Sequence, residues 1–345
     1  MYKNVRLLYI GSLDGWSNSS RRYKALSKLC SVHALNTDPY LLPRYISGFQ
    51  HHLNVGPGIF LLNRKIRKVV KEQPFDIIWV DNKPYLNPRT LELIKKRHSA
   101  ARIINLLTDD PFGKYTNSWS LFKRTISLYD AFFVQRRVNQ HELQMRGAKK
   151  AALCYRSFDP EFERPLVLTE EERKRYGASV GFVGTYEDVR ASFIAYLIKN
   201  GIPVLVTGND WPGGDYWDVI EPYYNGASVF NEEYIKALNG PDIVLHFLRH
   251  ANRDEQDSRT FEIPACQRFM LAERSQVHTQ LFREDEEAVF FSTKEELLEK
   301  VKHYLANPVE RERIALNGYK RCFNSGYTHR ERMETVLKCI LEDSK

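Results

Sequence analysis

Short apolar runs alternate with longer amphipathic segments along almost the whole chain, and this alternation constrains the fold more than any other feature. The clearest strand-like runs of the first half are residues 5–12, 75–82, 101–111, 129–135 and 150–155. Helical spacing separates them, as at 87–98, which opens with Asn87 and Pro88, residue types that begin helices. A strand–helix–strand rhythm of this kind predicts a parallel sheet covered by helices on both faces.

The same rhythm starts again after a polar stretch at 158–177, which we interpret as a linker because it combines prolines with a dense run of charges. The sequence therefore predicts an α/β protein with two doubly wound Rossmann-like domains facing a cleft. We place the first domain at 1–165 and the second at 166–328. The final segment, 329–345, is predicted to be a helix that either packs back on the first domain or forms a dimer contact. Ligands of such folds bind at the carboxyl ends of the strands and in clefts between domains.

The composition is that of a soluble globular protein, with 43% hydrophobic and 12% aromatic residues among 345. This apolar content excludes a disordered chain. No run approaches the roughly 18 apolar residues that a membrane span needs, and the apolar part of 1–13 is too short for a signal peptide. The five cysteines are far apart and never form a CxxC pair. We therefore expect neither disulfides nor a cysteine-based zinc site, and predict a cytoplasmic protein.

Charge is distributed unevenly along the chain. Residues 1–165 hold 28 Lys+Arg against 13 Asp+Glu, a net charge of +15, whereas residues 166–345 hold 23 against 30, a net charge of −7. Opposite signs indicate two domains with different partners. The basic half favours an anionic partner such as a membrane surface, a phosphorylated lipid or a nucleic acid; a basic surface that serves only solubility is the alternative.

Two strands of the second half end in glycine turns. The first turn contains Gly184 and Thr185, and Arg190 follows at the head of a helix. Glycine allows a phosphate to approach the backbone, and free amides at a helix start favour an anion, although a simple turn has the same pattern. The second turn contains Gly208 and Asp210, followed by Trp211. The aspartate is a candidate ribose or base contact, and Trp211 either stacks on a ligand or covers the core.

The strongest signal is the segment 256–273. Arg259 and Glu262 stand three residues apart at a predicted helix start, so both side chains can share one face. A guanidinium offers a planar fork to a diphosphate, and a neighbouring carboxylate can accept two hydrogen bonds from a ribose diol. Ser258 and Thr260 complete this candidate donor-binding segment. A surface ion pair is the alternative interpretation, but the apolar residues that follow indicate a packed helix.

These residues carry a family resemblance. RTFEIPACQRFMLAE (259–273) resembles the C-terminal domain of the CgeB-like (spore maturation protein) glycosyltransferases, which are related to the group-1 glycosyltransferases and have the GT-B fold. The similarity extends over residues 179–190, 206–211 and 281–321, and, in the first domain, over DNKPYL (81–86) and TDDP (108–111).

The resemblance implies that the C-terminal domain binds a nucleotide-sugar donor and the N-terminal domain a glycan or glycolipid acceptor. Glu262 is then the residue that binds the donor ribose, and Arg259 a diphosphate partner, with Gly184 and Thr185 facing the phosphates. Asp254 takes the place of the first acid of the Glu-x7-Glu pattern of the wider family, although it is an aspartate here. Gln267 stands where glycine is common in the family, and a side chain at this position would narrow the donor pocket.

The resemblance also implies transfer without a metal or other cofactor, because arginine side chains and backbone amides can stabilise the departing nucleotide. If the reaction inverts configuration, Asp110 or Asp109 is the candidate base, at a strand end. The alternatives are that these residues cap the turn before Pro111 or bind a metal, and a retaining reaction would need neither as a base.

The loop after the first strand supplies candidate contacts to the acceptor or a phosphate, namely Gly11, Ser12, Arg21 and Arg22. A basic surface that could touch anionic lipid is formed by Arg64, Arg67, Lys68, Lys71, Lys95, Lys96 and Arg97. The sequence leaves two other functions open. One is glycosylation of modified DNA, which the basic half allows without any recognised nucleic-acid motif. The other is a non-catalytic GT-B protein that binds a nucleotide or a partner.

Overall fold

The computed structural model describes residues 2–41, 54–82, 85–114 and 119–342, so part of the 81–86 motif lies outside the described residues. The chain forms two compact units. Unit 1 comprises Met1–Arg156, Arg249–Asp254 and His329–Lys345, and unit 2 comprises Ser157–Leu248 and Glu255–Thr328. The first boundary thus lies after Arg156, slightly before the 165/166 position that the sequence suggested.

Unit 1 is built on a six-stranded parallel sheet with the strand order β2-β1-β3-β4-β5-β6. Its strands are β1 (Tyr2–Gly11), β2 (Cys30–Asn36), β3 (Ile77–Asp81), β4 (Arg102–Leu107), β5 (Ala131–Val134) and β6 (Ala151–Leu153). Because all strands are parallel, their last residues lie along one edge, the carboxyl edge, and their first residues along the opposite amino edge. The strand order reverses between β1 and β3, where open α/β sheets form a crevice.

Helices cover both faces of this sheet. They are α1 (Asn18–Ser27), α2 (Pro57–Glu72), α3 (Pro88–Arg97), the single turn α4 (Ser120–Lys123), α5 (Arg137–Met145) and the C-terminal helix (His329–Glu342). Alternating residues of β3 enter the two apolar layers, with Ile78 and Val80 on the side of α2 and α3. Ile77 and Trp79 lie on the side of α1 and the C-terminal helix. The period of two along a strand therefore fixes which helices each strand residue touches.

The helix starts follow local capping chemistry. The Ser17 hydroxyl accepts a hydrogen bond from the Ser20 amide at 3.0 Å and caps α1. The Asn87 side chain accepts from the Thr90 amide at 2.9 Å and caps α3, whose first residue is Pro88. Each cap satisfies one of the backbone donors that a helix start leaves without a partner.

Unit 2 contains a five-stranded parallel sheet with the order β11-β10-β9-β7-β8. Its strands are β7 (Ala178–Val183), β8 (Leu205–Thr207), β9 (Pro241–His246), β10 (Phe269–Glu273) and β11 (Val289–Phe291). Its helices are α6 (Glu170–Tyr176), α7 (Asp188–Lys199), α8 (Trp217–Ile220), α9 (Asn231–Asn239), α10 (Arg259–Ala265), α11 (Gln276–Leu281), α12 (Lys294–Ala306) and α13 (Pro308–Asn324). Both units are thus Rossmann-like α/β domains, which confirms the predicted fold class.

The segment interpreted as a linker is a folded part of unit 2, and that interpretation is wrong. Phe158 is fully buried and pairs with Thr328, and the Glu163 side chain is also fully buried. Thr169 and Glu172 form a reciprocal capping box at the start of α6. The dense charges of this stretch therefore form a short capped helix rather than a solvated connection.

Among the helices that the structure describes, none combines the length and the hydrophobicity needed to cross a bilayer.

Candidate functional site

The glycine turns after β7 and β8 of unit 2 pack directly against each other. A Cβ atom on Gly208 would lie 1.9 Å from the carbonyl oxygen of Gly184. The Trp211 indole N–H donates to the same oxygen at 2.9 Å, and the ring is only 1% exposed. Of the two interpretations of Trp211, the structure therefore supports the one in which it covers the core. Asp210 is exposed and adopts a left-handed backbone conformation with φ 64°.

The amides of the β7 turn are not equally available to a ligand. The Gly184 amide donates to Thr207 at 2.8 Å, and the Tyr186 amide donates to Asn209 at 3.0 Å. The exposed Thr185 lies between them, and within the described part of the chain its amide donates to no acceptor. Of this turn, Thr185 is therefore the residue that can offer a backbone N–H to an anion.

Arg190 has a scaffolding position at the head of α7. Its Nη1 donates to the carbonyl oxygen of Thr185 at 3.0 Å, and its Nη2 donates to that of Leu248 at 3.1 Å. The side chain is buried. Arg190 thus ties the turn after β7 to the residues after β9, rather than lying open to a phosphate.

A charged cluster surrounds the start of α10. The Asp257 carboxylate accepts from the Arg259 amide at 2.7 Å and lies 2.9 Å from Nε2 of His246. Burial opposes ionisation of this carboxyl, but His246 and Arg259 hold its pKa well below the usual range. Asp257 is thus a fixed anion that orients the first residue of α10. The Ser258 carbonyl accepts from the amides of Phe261 and Glu262, at 3.0 Å each.

His278 fixes the second residue of α10. Burial lowers the pKa of His278 to about 3, so the ring is neutral near pH 7. Its Nδ1 lies 2.7 Å from the Glu273 carbonyl oxygen, which can only accept, so Nδ1 carries the proton. Nε2 then accepts from the Thr260 hydroxyl at 2.9 Å. The hydroxyl of Thr260 is consequently used inside unit 2.

Glu262 and Arg259 lie together in this cluster, as their spacing indicated. The buried Glu262 accepts a hydrogen bond from the Tyr234 hydroxyl of α9 at 2.5 Å. The Arg259 side chain is 27% exposed. Burial lowers the pKa of Arg259, but the nearby Tyr234, Asp257 and Glu262 raise it by more, so the net shift is upward. A partly exposed guanidinium beside a held carboxylate is suited to a ligand with both a diphosphate and a diol.

Unit 1 has a cavity of about 360 Å³ at the carboxyl edge of its sheet, where the strand order reverses. Hydroxyl, amide, carboxylate and guanidinium groups line it. The lining residues are Ser12, Ser17, Asn18, Ser19, Arg22, Thr37, Asp38, Leu41, Asp81, Asn82, Tyr85, Thr108, Asp109 and Arg156.

The arginine of the α1 loop in this cavity is already paired. Nε and Nη2 of Arg22 donate to the two oxygens of Asp81 at 2.8 and 2.6 Å, and both side chains are buried. Arg21 is also buried but does not line the cavity. A Cβ on Gly11 would lie 3.0 Å from Cβ of Asp81, so glycine allows β1 to pass close to the pair. The Ser12 hydroxyl donates to Oδ2 of Asp38 at 3.0 Å.

The two adjacent aspartates after β4 have different environments. Asp110, with 1% of its side chain exposed, accepts from Nε and Nη2 of Arg253 at 2.6 and 2.8 Å, and from Asn139 at 2.7 Å. Burial raises the pKa of Asp110, but these donors lower it below the usual value. Asp109 lines the cavity instead. The Asn82 amide donates to its Oδ2 at 3.0 Å, and no described residue donates to its Oδ1.

Asp254 is grouped with unit 1 rather than with the Glu262 cluster of unit 2. Its carboxylate pairs with the buried Arg136 and accepts from the Asn252 side chain at 3.1 Å. Asp254 therefore neutralises Arg136 within unit 1. Its spacing of eight residues from Glu262 did not indicate this role. Over the described ranges, no group of three or more His, Cys, Asp or Glu side chains is placed to hold a metal ion.

Comparison with known proteins bears on the fold and on the family. Residues 190–338 match the model of the family described as glycosyl transferase-like. HepE of Anabaena, solved with UDP-glucose, superposes with a TM-score of 0.63 at 10% identity, covering 98% of this chain and 99% of that one. Sucrose-phosphate synthase of Thermosynechococcus elongatus gives 0.63 at 12% identity, covering 98% of both chains.

The N-terminal domain of trehalose-6-phosphate phosphatase from Candida albicans gives a TM-score of 0.65 at 13% identity, covering 99% of this chain and 97% of that one. No curated protein sequence is a significant match. The fold is therefore that of the GT-B glycosyltransferases, and the match of residues 190–338 to a glycosyl transferase-like family supports the predicted enzyme class.

Proposed function

We propose that this protein is a CgeB-like glycosyltransferase that moves a sugar from a nucleotide-diphosphate donor to a hydroxyl of a glycan or glycolipid precursor. The observation that carries the proposal is the cluster of Arg259, Glu262 and Tyr234 at the start of α10. This cluster lies within the segment that matches the glycosyl transferase-like family. The neighbour HepE was solved with UDP-glucose, which supports a nucleotide sugar as the donor.

In this proposal the residues of unit 2 stabilise the departing nucleotide. Negative charge develops on the diphosphate as its bond to the sugar breaks, and Arg259 and the Thr185 amide are fixed donors for that charge. Glu262 accepts hydrogen bonds from the ribose hydroxyls, with one carboxylate oxygen held by Tyr234. Because these groups are fixed before the reaction, we propose that transfer needs no metal.

We propose that the cavity of unit 1 binds the acceptor. Its hydroxyl, amide and carboxylate groups are those that bind sugar hydroxyls, and Asp81 neutralises Arg22. Asp109 is the proposed base, because its Oδ1 accepts no hydrogen bond from the described residues. Ser12, Leu13 and Asp14 all donate to Oδ2 of Asp38, so Oδ1 of Asp38 likewise accepts no hydrogen bond from the described residues. The lining therefore favours a polyhydroxylated acceptor over a phosphorylated group.

The proposed site of action is the cytoplasm, on the basis of cysteine usage that favours a reducing compartment. We also propose peripheral contact with an anionic membrane. Arg64, Lys65, Lys68 and Lys71 are exposed on α2, where they can approach lipid headgroups.

A thermal-shift screen with UDP, GDP, CDP, TDP and ADP, each with and without EDTA, tests the donor site. We expect one nucleotide to raise the melting temperature regardless of EDTA, because a ligand of the folded state stabilises it. Arg259→Ala should raise the Kd of that nucleotide by about ten- to a hundredfold, since it removes a charge-assisted hydrogen bond. Glu262→Gln should raise the Kd of the same nucleotide by a smaller factor than Arg259→Ala does.

Arg313→Ala and Glu312→Gln, on the exposed face of α13, are the matched controls and should bind normally. Wild-type affinity in both α10 variants would contradict the site assignment. Loss of the shift on adding EDTA would contradict metal-independent transfer.

A further inference from the structure

His246 is a fully buried histidine next to the proposed donor cluster of unit 2. It is the last residue of β9, and its side chain is 0% exposed, so any effect on a ligand must pass through a neighbouring residue. Its ring lies 5.2 Å from the ring of His278, the residue that fixes Thr260. The hydrogen bonds of His278 account for its burial, whereas those of His246 do so only in part.

Only one of the two ring nitrogens of His246 has a hydrogen-bond partner. Nε2 donates to Oδ1 of Asp257 at 2.9 Å, since the ionised carboxylate can only accept. Nδ1 is buried, and no group in the described part of the chain bonds to it. Burying a polar atom without a partner costs free energy, so packing alone is a poor explanation for a histidine here. What distinguishes it from an apolar residue is the proton that it donates to Asp257.

Asp257 lies against both the main chain and the side chain of Arg259. Its Oδ1 accepts from the Arg259 amide at 2.7 Å, and its Oδ2 lies 3.7 Å from Nη1 of the same residue. The second distance is too long for a hydrogen bond, whereas an arginine and a carboxylate that can turn towards each other form bonds of about 2.7–2.9 Å. Among the described residues, none accepts a hydrogen bond from the Arg259 guanidinium. Its N–H groups are therefore available to a ligand.

The main chain of Asp257 is fixed, so the part that could turn is its carboxylate. The Asp257 amide donates to Oγ1 of Thr260 at 3.1 Å, and that hydroxyl donates to His278 at 2.9 Å. The Arg259 amide and Nε2 of His246 then set the direction of the carboxylate. Without the imidazole, Oδ1 keeps one donor, and rotation of the carboxylate towards the guanidinium would form a close ion pair. Such a pair would occupy the N–H groups that a diphosphate needs.

We propose that His246 is a positioning residue of the donor site, which holds the Asp257 carboxylate away from Arg259 and so keeps the guanidinium available to a diphosphate. This role rests on the proposed function, in which Arg259 binds the diphosphate of the donor. His246 acts through Asp257, and Asp257 acts through Arg259. Loss of the imidazole should therefore weaken diphosphate binding, although His246 contacts no ligand.

Isothermal titration calorimetry of the full chain tests this role, with UDP, GDP, CDP, TDP and ADP as ligands. His246→Gln keeps a side-chain N–H near the position of Nε2. The matched variant His246→Asn is one methylene shorter and cannot reach Asp257. We expect His246→Asn to raise the Kd of the bound nucleotide about tenfold and His246→Gln about threefold or less, because coupling within one hydrogen-bond network is typically of this size.

A second substitution separates positioning from a merely structural role. Asp257→Asn removes the charge that would capture Arg259. The double variant His246→Asn with Asp257→Asn should therefore recover nucleotide affinity to within about threefold of the wild type. A folding defect would not be repaired by a second polar substitution in the same network. Calorimetry reports the Kd of the folded fraction, so partial unfolding of a variant would lower the stoichiometry rather than the affinity.

The outcomes distinguish this role from the donor site itself. Wild-type affinity in His246→Asn, or equal losses in His246→Asn, His246→Gln and the double variant, would overturn the positioning role. Binding that requires Arg259 but not His246 would overturn that role alone and leave the proposed donor site intact. If none of the five nucleotides binds the wild type, or if Arg259→Ala binds normally, the proposed donor site is wrong and the role of His246 falls with it.

Discussion

The adjacent aspartates after β4 allow a direct test of the proposed base. Asp109→Asn replaces a carboxylate that accepts one hydrogen bond, from Asn82, and lines the acceptor cavity. Asp110→Asn replaces a carboxylate that is held by both donors of Arg253 and by Asn139. Each variant removes one negative charge, and the two positions are adjacent in the chain, so the variants are matched controls for each other. We expect Asp109→Asn to lose activity and Asp110→Asn to lose stability.

The expected magnitudes follow from these contacts. Removing one partner of a buried ion pair costs about 3–5 kcal/mol of unfolding free energy. The Arg253 side chain is 34% exposed and keeps Glu142 as a partner, so for Asp110→Asn we expect the lower range, about 2–3 kcal/mol. Asp109→Asn should change stability by less than about 0.5 kcal/mol. Loss of a general base should lower the transfer rate by about 10²–10⁴, equivalent to about 3–5 kcal/mol of activation free energy.

Urea unfolding followed by tryptophan fluorescence measures the first effect, and single-turnover sugar transfer measures the second. The pKa of Asp110 is lowered in the folded state, so its contribution is fully present above the unfolded value of about 3.9 and is lost as the pH falls through the folded value. The stability difference between wild type and Asp110→Asn should therefore shrink below about pH 4. Full transfer activity in Asp109→Asn, or a stable but inactive Asp110→Asn, would refute the reasoning.

Two further predictions concern unit 2 and its packing. Gly208→Ala should lower the unfolding free energy by about 3 kcal/mol, because the new Cβ would clash with the Gly184 carbonyl oxygen. The control Gly15→Ala, whose Cβ meets open space, should lower it by less than about 0.5 kcal/mol. Similar urea midpoints for the two variants would contradict this prediction. The folded pKa of His278 is depressed to about 3, so stability should fall below pH 6.5 by at most about 1.4 kcal/mol per pH unit. His278→Gln should weaken that slope in urea unfolding between pH 7 and 5, and parallel slopes would speak against a neutral buried imidazole.

The sequence predicted most strands because their residues are buried on both faces. All five residues of β3 are buried, and such a strand appears as an uninterrupted apolar run. β2 has no such run, because it lies at the edge of the sheet and the polar residues Ser31, His33 and Asn36 interrupt its apolar ones. The sequence pattern consequently does not predict this strand. The α6 segment was misread for a related reason, since a short helix rich in charges resembles a linker when burial is unknown.

The candidate site was predictable where its chemistry is local. Arg259 and Glu262 are neighbours on one helix, so their spacing was enough to bring them together. Tyr234 and His246 reach the same cluster from other elements, and a single sequence gives no sign of those contacts. The difference between Asp109 and Asp110 depends on Arg253, 143 positions further along the chain. Pairing over such a distance is set by the tertiary fold and leaves no local pattern.

Because the C-terminal helix belongs to unit 1 but follows unit 2 in the chain, unit 1 cannot complete its fold until unit 2 has been synthesised. Met333, Val336, Leu337 and Ile340 complete the apolar layer that includes Trp79. Those residues follow unit 2 in the chain, so the amino-terminal unit is finished only after unit 2 has been translated in full. Until then, of the two helices that cover this face, only α1 is present, and the rest of the face is open to chaperones. A gene truncated before residue 329 would leave the part of that face beneath the C-terminal helix permanently exposed.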